Sequence, residues 1–431
     1  MIITKLSLKS LLLPFLMTPC LATAQSADAK IRAASSQLAE ALYAEATSEV
    51  VFFFDKDSRL LPEYHPTLKG STLIESYYHD LFKKTETIAF KRAPFQIEKL
   101  GPLFLEMGLF EHDYNTEEIQ KVTYHGKYMT YWSMQSGVPK VVAHIWGSSS
   151  WFDAHTVDLT YIHTSFNPSI TPLTDWEKEI EASRQFAYKA VFEGDAETQL
   201  IGYDEEAIYM TYYDPPFIGK QAISDYFMSH YNPEIPKDSL NTRIVDIMEL
   251  GNYALKFGEY FVAWTYENQP FLIHGKGITL FKRTSEGKIK IFRQMINHSM
   301  PPMPTALFDQ YQASRITRHL DNQQLALEDY LAVYSEKTQI LPPGKSAISG
   351  IEAFKSHLEQ QRASGTLDIK HEVESVETYP QTVLLQGSST GAFFATGSSE
   401  GFPFSTKNLM VLDRDEMGQL QISTLIWNMN P

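Results

Sequence analysis

Residues 193–226, EGDAETQLIGYDEEAIYMTYYDPPFIGKQAISDY, decide the fold of this chain. Gly194-Asp195 interrupts a helical pattern, and a second, short helix is predicted to run to Leu200. Residues 207–210 (AIYM) are extended, and the turn at 214–216 (DPP) ends them. Gly219 then precedes apolar residues at helical spacing. The stretch therefore predicts a helix, a short helix, a strand and a further helix, in that order.

The landmarks of this stretch occur three times. Gly70, Gly219 and Gly350 are separated by 149 and 131 residues, and a large apolar residue follows each of them four positions later. Further landmarks keep nearly the same spacing: Gly108, Gly258 and Gly387, and the ungapped segments 137–146, 287–296 and 418–427. Because order and spacing are both kept, the chain is predicted to contain three tandem repeats.

Each repeat shows the same change of periodicity. Residues 31–47, 177–193 and about 308–330 have apolar positions three and four apart, which is typical of a long amphipathic helix. Later segments, such as 124–132 and 141–146, alternate with period two and predict long strands. The expected boundaries are 25–168 for repeat 1, 169–306 for repeat 2 and 307–431 for repeat 3.

The first 24 residues have the pattern of a secretory signal peptide, with a short basic region, an apolar run and a cleavage site after Ala24. We expect an exported protein, periplasmic or secreted, with no inserted membrane segment. The alternative is a lipoprotein processed at Cys20. Because Cys20 is the only cysteine, cleavage after Ala24 leaves no thiol for disulfides or thiolate chemistry.

Charge argues against nucleic acid as a partner. The chain has 37 Lys+Arg and 52 Asp+Glu, a net charge of −15. Loss of Lys5 and Lys9 with the leader would take it to −17 (−15 − 2). Such a negative field repels phosphate backbones.

Three segments resemble the SnoaL-like, NTF2-like superfamily: 193–226 in repeat 2, 329–354 in repeat 3 and, more loosely, 54–74 in repeat 1. The resemblance implies an α+β fold of three tandem NTF2-like cone domains. Each would be a strongly curved, mostly antiparallel sheet wrapped round a long N-terminal helix. It also implies a concave face that holds a ligand or buries another subunit.

The sequence departs from the ketosteroid isomerase pattern, which disfavours that isomerisation in every repeat unless a displaced base serves instead. Relatives with that activity carry an aspartate base at the end of the first strand, four residues after the alanine of an acid-acid-Ala segment. That alanine is Ala207 here. The aligned positions are Thr211 in repeat 2, Pro62 in repeat 1 and Pro342 in repeat 3. None of these side chains abstracts a proton in such chemistry.

Other residues are candidates for a site. His144 and Asp214 are the candidate catalytic residues, since a histidine or carboxylate serves as a general base. Candidate ligand-binding residues are aromatic or carry a hydrogen-bonding end, and they are Tyr64, His65, Trp146, Tyr212, Trp264 and Arg293. Each also has a purely structural interpretation, as a wall, core or surface residue.

Short motifs do not add a cofactor or a metal. The string Gly387-Ser-Ser-Thr-Gly391 lies between strand patterns, where a nucleophile elbow does not form. His155, Asp158 and His163 lack helical spacing and a further acid, so no metal site is expected.

Three functions remain open. The first is a non-catalytic exported protein that binds a small, largely apolar ligand or a partner, with repeat 1 or 2 carrying the better pocket. The second is a SnoaL-type hydrolase, isomerase or cyclase with one active repeat. The third is an assembly module, in which domains pair within the chain or form a homo-oligomer.

Overall fold

A computed structural model describes residues 26–152, 169–231 and 237–430. Three similar units follow one another along the chain. The first contains α1 (Ala27–Tyr43), α2 (Thr47–Val51), β1 (Arg59–Leu61), β2 (Leu68–Lys69), α3 (Ser71–Lys84), β3 (Thr85–Leu100), β4 (Leu103–Thr116), β5 (Val122–Ser133) and β6 (Lys140–Ser148).

The second and third units repeat this order. The second contains α4 (Asp175–Glu193), α5 (Ala196–Leu200), β7 (Tyr203–Met210), β8 (Phe217–Ile218), α6 (Lys220–His230), β9 (Lys237–Glu249), β10 (Tyr253–Tyr266), β11 (Gln269–Arg283), β12 (Ile289–His298) and β13 (Met303–Pro304). The third contains α7 (Thr305–Asp321), α8 (Leu327–Leu331), β14 (Tyr334–Leu341), β15 (Ile348–Ser349), α9 (Ile351–Ser364), β16 (Gly365–Thr378), β17 (Thr382–Ala395), β18 (Gly401–Arg414) and β19 (Leu420–Met429). Helix α7 begins shortly before the expected boundary at residue 307.

Each unit is built on one mixed sheet. The strand order is β2-β1-β6-β5-β4-β3 in repeat 1, β8-β7-β12-β11-β10-β9 in repeat 2 and β15-β14-β19-β18-β17-β16 in repeat 3. Only the pairs β1–β6, β7–β12 and β14–β19 are parallel among the described strands. The predicted fold class, three curved and mostly antiparallel sheets with few helices, is confirmed.

The long first helix lies in the concave face of the sheet. In α1 the buried residues Ile31, Ala34, Leu38 and Ala41 recur three and four apart, so one stripe of the helix enters the core. Ser26 caps the helix by accepting a hydrogen bond from the amide of Ala29 at 3.2 Å. The sheet and the helix therefore enclose a cone, with the core of repeat 1 between them.

The first set of landmark glycines begins a helix in every repeat. Gly70, Gly219 and Gly350 precede α3, α6 and α9 with φ of 94°, 84° and 85°. An L side chain rarely adopts such values, because Cβ approaches the backbone. The repeated glycine thus marks one backbone turn that all three domains require.

The second set of landmark glycines lies where the sheet bends. Gly108 pairs with Pro94 and Gly387 with Val373, and in both pairs the strand register shifts immediately afterwards. A Cβ on Gly387 would lie 2.2 Å from the carbonyl oxygen of Glu372. A bulge opposite a residue without a side chain lets the outer strands curl over the helix.

Repeats 1 and 2 share one hydrophobic core. Nine buried residues from the convex sheet face of repeat 1 pack against nine from that of repeat 2. They are Leu61, Leu100, Leu103, Leu105, Met107, Met129, Tyr131, Ala143 and Ile145, with Ile208, Met210, Leu250, Leu255, Phe257, Ile278, Leu280, Phe292 and Met295. Cores of this composition resist separation because all of their apolar area would return to water.

A local twofold axis relates these two repeats. The amide of Tyr64 donates to the carbonyl of His298 at 2.8 Å, and the amide of Tyr213 donates to the carbonyl of Ser148 at 3.1 Å. Both tyrosines have positive φ, 57° and 62°, and their hydroxyls hydrogen-bond to each other. Because left-handed backbone is costly for tyrosine, the surrounding contacts must hold it in place.

Repeat 3 contacts repeat 2 over a smaller area. Phe308 of α7 and Met417 of the β18–β19 turn pack against Phe261, Leu272, Met300 and Met303 of repeat 2. Arg243 also forms an ion pair with Glu416 at 3.0 Å. The third domain is therefore attached to the paired first two by six buried apolar residues and a polar rim.

Candidate functional site

A cavity of about 730 Å³ lies between the sheet and the helices of repeat 1. Nearly half of its lining residues are Phe, Tyr or Trp, with one ring contributed by α7 of repeat 3. Charged side chains also border it: Glu63, Asp80, Lys84, Arg92, Glu117 and Glu118. The aromatic residues are Tyr64, Tyr77, Tyr78, Phe82, Phe90, Phe110, Tyr114, Tyr124, Tyr128, Trp146 and Tyr311. A volume of this order is that of a small-molecule site.

Glu106 lies buried at the centre of a polar cluster next to this cavity. Its carboxylate accepts hydrogen bonds from Ser35 Oγ (2.6 Å), the Tyr128 hydroxyl (2.7 Å) and Trp132 Nε1 (2.9 Å). Burial alone would raise the pKa of Glu106, but the charge of Arg92 and these hydrogen bonds outweigh it and lower the pKa. Glu106 is thus an anion inside the domain.

Arg92 neutralises that anion. Its Nε donates to Glu106 Oε1 at 3.2 Å and its Nη2 donates to Thr130 Oγ1 at 2.8 Å. The guanidinium lies 3.7 Å above the centre of the Tyr128 ring. Arg92 lines the cavity although its side chain is only 3% exposed. The pair itself carries no net charge, so Arg92 offers an anionic ligand little attraction.

His144 stands on β6 beside this pair. Its Nδ1 lies 2.8 Å from Thr130 Oγ1 and 3.3 Å from the carbonyl oxygen of Met129. Burial, followed by the nearby Arg92 charge, holds the pKa of His144 well below its usual range. The imidazole is therefore neutral at physiological pH. We assign the proton to Nδ1, from which it is donated to the Met129 carbonyl, and Nε2 then carries the lone pair.

The remaining predicted residues of repeat 1 line the same cavity. Tyr64, His65 and Trp146 all contribute to its wall together with His144. The rings of His144 and Trp146 are 5.1 Å apart, and His65 meets Tyr77 edge to face at the same distance. The sequence candidates on two separate segments of repeat 1 are thus brought together.

The predicted residues of repeat 2 lie outside this cavity. Arg293 is 4% exposed, and its guanidinium binds Glu98 at 2.9 Å and the carbonyl of Glu206 at 2.9 Å. The ring of Tyr212 lies tilted against His298 with ring centres 3.9 Å apart, and Trp264 stacks on Phe271. Asp214 lies at the contact between the repeats, where its charge raises the pKa of Lys127 and so opposes the effect of burial.

The polar cluster exists in repeat 1 alone among the described repeats. Positions equivalent to Glu106, two residues before the landmark glycine, hold Lys256 and Leu385. Tyr128 pairs with Gly108, whereas the landmark glycines of repeats 2 and 3 pair with Gly277 and Asn408. His144 is replaced by Gln294 in repeat 2 and by Leu425 in repeat 3.

Aromatic side chains fill the corresponding interior of repeat 2. Tyr203, Tyr209 and Phe227 contact one another with ring centres 5.5 to 6.2 Å apart. Gln294 is engaged there, since it accepts from the Tyr203 hydroxyl and donates to Thr279. The equivalent of His144 therefore serves internal packing in this repeat.

Sequence reasoning missed Arg92, Glu106 and Tyr128. One signal was available, because Glu106 is the single charge within the apolar run 103–110 (LFLEMGLF) on a strand. A carboxylate at such a position must find donors inside the fold. Arg92 gave no comparable signal, as it lies in a strand with alternating exposed residues.

The order of the elements, the single parallel strand pair and the helix inside a curved sheet are the same in all three units. Each repeat has the NTF2-like fold. No known family profile matches the sequence, and no curated protein matches it.

Three solved structures similar to this chain each cover about 30% of it. A ketosteroid isomerase-like protein from Erwinia carotovora atroseptica is 15% identical, covers 30% of this chain and 100% of its own length, with a TM-score of 0.28. A conserved protein from Planctomyces limnophilus is 10% identical and covers 29% of this chain and 99% of its own, with a TM-score of 0.27. A hexachlorocyclohexane dehydrochlorinase is 12% identical and covers 30% of this chain and 88% of its own, also with a TM-score of 0.27.

In residues 26–152, 169–231 and 237–430, no three His, Cys, Asp or Glu side chains are grouped so as to hold a metal ion. His155, Asp158 and His163 lie outside the described residues. No described helix is long and apolar enough to span a bilayer.

Proposed function

We propose that repeat 1 binds a small, largely apolar ligand with an aromatic framework, while repeats 2 and 3 act as scaffold. Eleven aromatic rings in the cavity wall, with the buried Arg92 and His144 side by side among them, support this proposal. Ring faces and edges bind flat apolar molecules through area and quadrupole contacts. In repeat 2 aromatic side chains pack together in the corresponding interior, which favours repeat 1 as the repeat that binds the ligand.

We further propose that the protein is exported. The proposal rests on the leader pattern of residues 1–24, which lie outside the described residues. N-terminal sequencing of the protein from its host tests it. Processing after Ala24 is expected. A diacylglyceryl group on Cys20 would replace this proposal by the lipoprotein alternative.

A second candidate function is proton transfer in the same cavity, as in an isomerase, hydrolase or cyclase. One observation favours it: a neutral histidine with its Nδ1 held by Thr130 and Met129 stands beside a guanidinium. His144 Nε2 would accept the proton, and Arg92 would stabilise the negative oxygen formed. Self-association of the whole chain remains a further proposal without a specific contact to support it.

Native mass spectrometry of the protein purified gently from its host tests ligand binding. We expect an added mass of one small molecule per chain. His144→Leu should reduce its occupancy, whereas Gln294→Leu, at the equivalent place in repeat 2, should not. An apo mass in every preparation, together with no uptake from a library of aromatic compounds, would contradict a carrier function.

A further inference from the structure

We propose that the ligand of repeat 1 carries a hydroxyl group on an aromatic ring, and that this hydroxyl lies between Arg92 and His144. The proposal rests on the function proposed above and names the chemical class that the same cavity recognises. It follows from which nitrogen atoms of these two side chains are already bonded.

Arg92 has one nitrogen left for a ligand. Nε and Nη2 are taken by Glu106 and Thr130. The guanidinium also interacts with the Tyr128 hydroxyl. Nη1 is not among the nitrogens that bond Glu106 or Thr130, and Arg92 borders the cavity. A guanidinium nitrogen only donates, so Nη1 requires an acceptor from the ligand.

His144 offers the complementary group. Nδ1 is bonded to Thr130 and Met129, and Nε2 bonds to none of the residues that the structure describes. His144 is 5% exposed and also borders the cavity. With the proton on Nδ1, Nε2 requires a donor from the ligand. A buried polar atom of this kind costs free energy until it is paired.

Thr130 places the two groups side by side. Its Oγ1 lies 2.8 Å from Arg92 Nη2 and 2.8 Å from His144 Nδ1. One ligand atom that both accepts and donates would serve both nitrogens. A hydroxyl oxygen does so: it accepts from Nη1 and donates its proton to Nε2.

Other polar groups fit less well. A ketone has no proton to donate to Nε2. A carboxylate is also only an acceptor, so its lone pairs would be repelled by the lone pair of Nε2. The charge of Arg92 is already balanced by Glu106, so an anionic ligand gains little from the guanidinium. An ammonium group would be repelled by the positive charge of Arg92. A neutral hydroxyl is the group that pairs both nitrogens without a net charge.

The surrounding walls select the rest of the molecule. Tyr128 and Trp146 flank the polar pair, and Phe110 stacks on Tyr124 further along the cavity. Aromatic rings arranged in this way bind a flat ring system at its faces and edges. A phenol or a hydroxylated polycyclic compound combines such a ring system with the hydroxyl.

Three probes separate the two proposals: 2-naphthol, 2-methoxynaphthalene and naphthalene. Their binding to the full mature chain is followed by probe fluorescence at pH 7. We expect 2-naphthol to bind about tenfold or more tightly than 2-methoxynaphthalene, which cannot donate to His144. His144→Leu should abolish this preference while keeping the binding of naphthalene. Gln294→Leu should leave the preference unchanged.

Each other outcome has a defined meaning. Equal affinity for 2-naphthol and 2-methoxynaphthalene would overturn the hydroxyl proposal and leave the cavity as an apolar site. Failure of all three probes to bind a folded wild-type protein would overturn both proposals. Because Arg92→Met would leave Glu106 without its charge partner, the double variant Arg92→Met, Glu106→Leu is used for the arginine. It should lose the preference as His144→Leu does, and an unchanged preference in it would overturn the role given to Nη1.

Discussion

Glu106 is the residue that most clearly distinguishes repeat 1 from its neighbours. It is fully buried, yet four donors surround its carboxylate: Ser35, Arg92, Tyr128 and Trp132. A buried ion of this kind persists only when its hydrogen-bonding capacity is met. The same cluster fixes the ring of Tyr128 and the guanidinium that borders the cavity.

We expect Glu106→Leu to destabilise the protein by about 3–5 kcal/mol, because Arg92 would then be a buried charge without a counter-ion. Urea unfolding measures the loss. Glu111→Gln on the same strand serves as the control, since the partly exposed pair of Glu111 with Lys91 is worth about 0–1 kcal/mol. Equal losses in both variants would show that the Arg92–Glu106 pair has no special role.

The candidate site could be predicted only in part. His144, Trp146, Tyr64 and His65 stand out in the sequence because of their residue types, and the fold brings them to one cavity. In the sequence, Arg92 looks like a surface residue, because it lies in a strand with alternating exposed positions. It enters the site because the bulge after Pro94 and the pairing of β3 with β4 place it opposite Phe110. Such a placement depends on strand register, which a single sequence does not fix.

Among the elements, β4 and β5 are joined by a glycine–aromatic pair. Phe110 is the register partner of Gly126, and a Cβ on Gly126 would lie 2.1 Å from Phe110 Cε1. Repeat 2 has the same arrangement, with Tyr260 opposite Gly275 and a distance of 2.0 Å. The ring covers the glycine, so the strands pair closely while the sheet bends.

We expect Gly126→Ala to displace Phe110, which forms part of the cavity wall, and to weaken binding of 2-naphthol at least fivefold, on the order of 1 kcal/mol. Gly275→Ala makes the same change in repeat 2. It should lower the free energy of unfolding similarly without altering the affinity. Fluorescence titration and urea unfolding of both variants give the two quantities, and equal affinities in the two variants would disprove the link between this pair and the cavity.

The long elements could be predicted because their periodicity is strong. The order of elements agrees with the structure in all three repeats. The predicted long helices run too far in repeats 1 and 3, where α1 ends at Tyr43 and α7 at Asp321 before a separate short helix. The sequence could not predict that repeat 1 pairs with repeat 2. All three repeats have strand patterns with apolar residues on the outer sheet face, so any two of them could have paired. Selection of the partner depends on the match of whole surfaces, which appears only after each sheet is folded.

At the scale of the whole molecule, repeats 1 and 2 share a core of eighteen buried residues, and repeat 3 joins repeat 2 through six. The area in contact sets how strongly two domains unfold together. The chain therefore consists of a double domain and a more independent third one.

We expect two transitions in urea. Met129→Ala, in the shared core, should lower the midpoint of the transition of repeats 1 and 2 by removing about 2–5 kcal/mol. Leu385→Ala, in the core of repeat 3, should shift only the other transition by a similar amount. Hydrogen exchange of peptides from each repeat assigns the transitions. A single transition that both variants shift would show one cooperative unit instead.

Two equivalent buried lysines lie where the double domain is joined. Lys276 Nζ donates to the carbonyl of Pro62 at 2.7 Å, and Lys127 occupies the matching place in repeat 1. Burial lowers the pKa of Lys276 to about 7 and that of Lys127 to about 8, although the charge of Glu63 opposes the shift in both. Glu259 also raises the pKa of Lys276.

We expect the free energy of unfolding to rise between pH 7 and pH 9. In this range the unfolded chain keeps its lysines protonated and the folded chain releases protons from Lys276 and Lys127, so a higher pH favours the folded state. Each fully shifted group adds about 1.4 kcal/mol per pH unit. The change is measured by urea unfolding at several pH values.

Lys276→Gln should flatten this rise, and Lys288→Gln at an exposed position should not. Glu63 acts in the opposite direction until its carboxyl has ionised. Burial raises the pKa of its carboxyl, so its contribution to stability is lost as the pH rises from the acid side. A rise of the same slope in Lys276→Gln would show that other groups release the protons.

Joining the paired domains in one polypeptide has an evolutionary consequence. In a homodimer, every substitution appears on both sides of the axis. Here Glu63 faces Lys127 and Lys276, while its symmetry-related position is Tyr212. A symmetric ancestor with Glu63 would have carried two carboxylates at this place. In one polypeptide the two halves can differ, so repeat 1 carries an acid, a cavity and a histidine while repeat 2 keeps its aromatic packing and the pairing is retained.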